Sequence, residues 1–134
     1  MSDELDGFVV GYVPAGIGTE VSDFASEWDD VRFHTRVWER QVEEGYRVDL
    51  RVHVLRAARL TTLDELRDFL AGYHERDAET WAPADLDVGG ARGLIGEGEA
   101  FWLVEPGVAI DVLADPEQVP EAELRAVAAA VQPA

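Results

Sequence analysis

Between Val31 and Leu55, apolar and polar residues alternate in two runs that flank Glu43-Glu44-Gly45-Tyr46. A period of two on both sides of a glycine-bearing turn predicts a β-hairpin. With Glu44-Gly45 as a two-residue loop, Val37 faces Val52, Thr35 faces Val54 and Glu39 faces Leu50 on one side. On the other side Trp38 faces Arg51, Arg36 faces His53 and Arg40 faces Asp49. This register sorts the ribbon into a mainly apolar face and a face of guanidinium, imidazole and indole groups. A slip of one residue would mix the two, because side chains alternate strictly along a strand.

The remaining pattern is shorter-ranged. An apolar run over residues 7–14, closed by Pro14, predicts a first strand, and residues 1–6 are expected to be a disordered tail. Gly16 and Gly18 loosen the chain, and the segment carrying Phe24 and Trp28 among acids is expected as a helical turn or an irregular stretch. Thr62 followed by Glu65 is a capping-box pattern. Leu63, Leu66, Phe69, Leu70 and Tyr73 then recur at helical spacing, with residues 74–81 continuing the helix to a stop at Pro83. Three strands are expected over residues 91–96, 100–104 and 108–113, separated by turn-forming Glu-Gly-Glu and Glu-Pro-Gly. A closing helix over residues 120–131 opens on proline and glutamates. The order β, ββ, α, βββ, α predicts one α+β domain with a largely antiparallel sheet of about six strands and two helices.

Composition sharpens this picture. The 134 residues are 47% hydrophobic, enough for a real core despite a net charge of -17. Seven of the eleven arginines lie between Arg32 and Arg59 with only four acids, so that window nets 7 − 4 = +3, against 4 − 24 = −20 for the rest. There is no lysine and no cysteine, which excludes disulfides, thiolate metal sites and cysteine nucleophiles. The acidic field repels phosphate backbones and anionic lipids, so neither nucleic acid nor membrane is an expected partner. The acidic start lacks a signal-peptide pattern, and no long apolar run exists, so a cytoplasmic location is expected.

Residues 89–93, the Phe101-Trp102 pair, Val108-Ala109-Ile110-Asp111-Val112 and the helix over residues 121–130 resemble an uncharacterised domain family. That family occurs at the ends of bacterial anti-sigma factors and in envelope lipoproteins. The stretch from Tyr12-Val13-Pro14-Ala15-Gly16 to Tyr73-His74-Glu75-Arg76-Asp77 is similar to small proteins of high-GC bacteria. The resemblance implies a sheet-and-helix binding or sensory module and supplies no catalytic residue.

The candidate site is the polar face of the hairpin: Arg36, Trp38, Arg40, Arg51, His53 and His34, with Arg32 beside them and Arg47 near the turn. Guanidinium forks bind carboxylates and phosphates bidentately, which suits an acidic partner or anionic ligand. The same face is equally open to cover by the chain's own acids, Asp29, Asp30, Asp64 and Asp68 among them. His34 and His53 lack a third converging ligand, and no Gly-x-Ser-x-Gly elbow, dinucleotide fingerprint or phosphate loop is present, so no metal, cofactor or catalytic set is expected. The expected function is therefore a non-enzymatic domain that binds a protein partner or itself through the face around Trp38 and Arg51. The competing readings are a small-molecule binder or enzyme holding an anion between the sheet and the Thr62 helix, and an acidic inhibitor or immunity-type protein.

Overall fold

The computed structural model describes residues 4–77 and 79–134. Along the chain run β1 (Glu4–Leu5), β2 (Phe8–Val10), β3 (Glu20–Trp28), β4 (Val31–Val42), β5 (Gly45–Arg56) and helix α1 (Leu63–Tyr73). There follow β6 (Ala84–Val88), β7 (Ala91–Gly96), β8 (Glu99–Glu105), β9 (Val108–Ala114), helix α2 (Glu121–Ala130) and β10 (Val131–Pro133). Seven strands form an antiparallel sheet in the order β3-β4-β5-β9-β8-β7-β6, and β1-β2-β10 form a second, smaller sheet. Among the described residues the α+β class and the two helices agree with the sequence pattern, and ten strands in two sheets replace the expected six. Among the described residues no helix is long and apolar enough to cross a membrane.

The hairpin forms, but its register differs from the expected one. Val42 pairs with Gly45, so the chain reverses at Glu43-Glu44 rather than at Glu44-Gly45. That change alone moves the pairing by two and keeps the faces. An irregularity at Trp38/Glu39 then inserts Asp49 as an extra residue on β5, which moves it back by one, leaves a net slip of one residue and swaps the faces. Beyond the bulge Arg36 pairs with Val52, Thr35 with His53, Val37 with Arg51 and Trp38 with Leu50. His53 and Arg51 therefore lie on the opposite side of the sheet from His34, Arg36 and Trp38.

Three other expectations change. The segment with Phe24 and Trp28 is strand β3, a full partner of β4. Helix α1 stops at Tyr73, with His74 as its C-cap and Glu75 at φ 55, so residues 74–81 do not extend it. Leu5, inside the expected tail, is a buried strand residue; residues 1–3 lie outside the described residues.

Each face of the large sheet carries its own core. On one, α1 presses Leu66, Phe69 and Leu70 onto Val31, Phe33, Leu55, Phe101 and Ala109. Thr62 caps this helix, its Oγ1 accepting a hydrogen bond from the Glu65 N–H at 3.1 Å, as the sequence predicts. On the other, α2 and the small sheet cover Trp38, Val52, Val54, Trp102, Ile110 and Val112 with Leu124, Val127, Ala128, Phe8 and Val131. Burial of each such side chain contributes roughly 1.5–3 kcal/mol.

Candidate functional site

Strand pairing lines up Thr35, His53, Asp111, Phe101 and Leu94 across five strands on the α1 side of the sheet. The apolar half of this row packs under α1. Its polar half is equally buried: Thr35, His53 and Asp111 are all inaccessible, as is Glu99, two residues before Phe101 and on the same face. Because α1 ends at Tyr73, the chain turns there and drops His74 and Arg76 onto these groups. His74 Nε2 lies 3.1 Å from Glu99 Oε2 and 3.5 Å from Asp111 Oδ2. Arg76 donates from Nη1 to Glu99 Oε1, and Thr35 Oγ1 is 2.7 Å from His53 Nδ1.

The charges of this cluster are set by burial and by one another. Burial works against charge on His74, but hydrogen bonds and the charges of Asp111 and Glu99 outweigh it and raise its pKa to about 9. Burial likewise opposes ionisation of Glu99, yet hydrogen bonds from His74 and Asp111, with the charges of His74 and Arg76, hold it at about 2. Burial, then the charge of Glu99, pushes Asp111 well above the usual carboxylate range. Burial, with Arg51 and His74 nearby, lowers His53 to about 3 and keeps it neutral. Three buried atoms here lack a hydrogen-bond partner: His53 Nε2, Glu99 Oε2 and Asp111 Oδ1.

The six residues singled out in the sequence are not brought together. His53 belongs to the buried cluster, and Arg51 is exposed on the same side of the sheet. Trp38 is core on the other face. Arg36 holds Asp23 bidentately at 2.7 and 2.9 Å, Arg40 donates to buried Asp49 at 3.0 Å, and His34 meets Asp6 at 3.2 Å. Arg47, Arg56 and Arg59 contact Asp115, Asp6 and Asp29. Five arginines of the basic island are thus matched within the chain. Sequence reasoning missed His74, Glu99 and Asp111. The available signal was Asp111, a charged residue centred in the apolar run of β9.

A second feature lies at the margin of the large sheet. All nine residues of edge strand β3 are exposed, including Val21, Phe24 and Trp28. It has no proline or lysine and no bulge, the usual means by which natural edges resist pairing. The opposite edge, β6, has only five residues, follows Pro83 and carries Asp85 and Asp87. The acids of β3 are partly neutralised from behind, since Arg36 holds Asp23 and Arg32 stands directly across from Glu27.

The larger clefts among the described residues lie away from the buried cluster. One is bounded by Glu27, Arg32 and Arg56, another by Asp85, Leu86 and Arg92. Comparisons of the chain with protein-family models, with curated proteins and with solved structures return no match.

Proposed function

We propose that this chain is a non-enzymatic binding domain that associates with a second copy of itself by pairing β3 with β3. The observation that carries this reading is the contrast between the two sheet edges: one short, the other long and exposed, with Val21, Phe24 and Trp28 set among its three acids.

The charge pattern of β3 selects one register. A two-fold axis through Phe24 sets Glu20 across from Trp28, Val21 across from Glu27, Ser22 across from Ser26 and Asp23 across from Ala25. All nine residues find partners and no acid faces an acid. The symmetric registers centred on Asp23 and on Ala25 set Asp23 against Asp23 and Asp23 against Glu27, and like charges directly opposite are destabilising. Phe24 then meets its own copy, an aromatic pair of about 0.2–1 kcal/mol on top of the backbone ladder. The basic island acts by holding β3 in place and offsetting its acids. Overall repulsion between two acidic copies is screened beyond about 8 Å at physiological salt. The anionic-ligand reading has less support, because most arginines of the island already hold carboxylates.

The chain has no cysteine, which makes a cross-linking test clean. Under mild oxidation, Phe24→Cys is expected to form a disulfide-linked dimer, whereas Ala25→Cys, whose partner would be Asp23, remains monomeric. Sedimentation of the unmodified chain is expected to show a dimer that Phe24→Lys dissociates. A monomer at high micromolar concentration, or equal cross-linking at both cysteine positions, would defeat the proposal.

A further inference from the structure

We infer that His74, Glu99 and Asp111 form a binding site for a divalent first-row metal ion, zinc being the best match. One ligating atom from each lies within 4.8 Å of the others. The separations from His74 Nε2, 3.1 Å to Glu99 and 3.5 Å to Asp111, bracket the spacing of about 3.3–3.5 Å expected between ligands on a tetrahedron with bonds of about 2.0–2.1 Å. One imidazole nitrogen and two carboxylates form a mixed donor set suited to zinc and its neighbours rather than to copper(I), which prefers sulfur.

The single Nε2–H of His74 does not account for the arrangement. A single Nε2–H points in one direction, yet two carboxylates converge on this nitrogen. The contact with Asp111 is long at 3.5 Å, and Glu99 Oε2 lacks a properly directed donor despite lying 3.1 Å away. Glu99 Oε2 and Asp111 Oδ1 are buried and unpartnered, and an orphaned buried polar atom costs roughly 1–3 kcal/mol. An ion between the three residues would partner Glu99 Oε2 together with an oxygen of Asp111. Arg76 occupies Glu99 Oε1, which leaves Oε2 as the oxygen on offer.

His53 completes the site from the adjacent strand, as the cross-strand neighbour of Asp111. In the tautomer whose Nδ1–H donates to Thr35 Oγ1, its Nε2 is left as an acceptor for a water on the ion. On binding, His74 releases its Nε2 proton to solvent and its lone pair forms the bond to the metal.

The test is titration of the full chain with zinc chloride, followed by calorimetry, and with cobalt chloride, followed by visible absorption. One saturable equivalent and a four-coordinate cobalt spectrum are expected. Glu99→Gln and Asp111→Asn are each expected to weaken binding by roughly tenfold or more, while Glu43→Gln/Glu44→Gln, a control at exposed acids of the hairpin turn, leaves it unchanged. In the unaltered chain, which avoids any question of folding, zinc should move the side-chain nitrogen resonance of His74 and leave that of His34 in place. No saturable binding, equal binding by all variants, or a shift at His34 instead of His74 would overturn the inference. Chain association is measured separately, so the failure of one proposal leaves the other standing.

Discussion

Thr35 and His53 face each other across β4 and β5 with the threonine Oγ1 2.7 Å from the imidazole Nδ1, both buried beneath α1. The edge of the Phe33 ring, 5.5 Å away between centroids, closes the site from the next turn of the sheet. Thr35→Val preserves the shape and removes the partner of Nδ1. It is expected to cost about 1–3 kcal/mol, the penalty for leaving a buried polar atom unpaired. Urea denaturation measures it, and Thr35→Ser should recover part of the loss.

The metal-free protein is expected to lose stability as pH rises from about 6.5 to 9. His74 has a folded pKa of about 9, above its ordinary 6.5, so its contribution is complete below 6.5 and vanishes as pH passes through 9. Asp111, raised well above 3.8, acts in the same direction, because the unfolded carboxyl ionises first. Glu99, lowered to about 2, does not change charge in this window in either state, while His53, about 3 when folded against 6.5 unfolded, adds a small opposing gain confined to the lower edge of the window. Arg76 stays charged throughout. Thermal melts in chelator should fall across the window, and His74→Gln should flatten most of the slope; an unchanged slope would remove His74 as the cause.

Gly18 is pinned where a larger residue does not fit. Its N–H donates to Asp49 Oδ2 at 2.9 Å, and an added Cβ would lie 2.1 Å from the Glu39 carbonyl. Gly18→Ala must therefore push the 16–19 loop off the β-bulge at Asp49. A loss of roughly 1–3 kcal/mol is expected, as for other overpacked sites. Calorimetric melting would show it, and a neutral result would mean that the loop is free to move.

Arg36 ties the edge strand to its neighbour through Asp23, whose carboxyl it holds below the usual range by hydrogen bonding. Because Asp23 is half exposed, Arg36→Ala should cost no more than about 1 kcal/mol of global stability. Its effect should appear locally, as faster amide exchange in β3 with β5 and β9 unchanged. Uniform exchange along the sheet would show that backbone pairing alone seats the edge.

Local chemistry was legible where it was strong. The Thr62–Glu65 cap, the leucine stripe of α1, the proline-led α2 and the glycine turns around β7, β8 and β9 all appear in the structure where the pattern sets them. Strand β3 was not legible, because an edge exposed on both faces has no apolar alternation and Asp23 and Glu27 are poor strand formers. The hairpin register was lost to one bulged residue, Asp49, whose burial depends on Gly18 and Arg40 from elsewhere in the chain. For the same reason the buried cluster was invisible. His74, Glu99 and Asp111 are distant in sequence and meet only because α1 ends at Tyr73 and β8 pairs with β9.

The small sheet has a mechanical consequence. β2 and β10 run antiparallel, with Phe8 opposite Pro133 and Val10 opposite Val131, so the strand ends at Phe8 and Pro133 lie side by side, and the chain before Phe8 folds back along β2 as β1. Tension applied between those two strand ends would open the hydrogen bonds one after another, like a zipper, instead of shearing them all at once. The first part to yield under force would then be the small sheet beside α2, long before the seven-stranded sheet itself feels the pull.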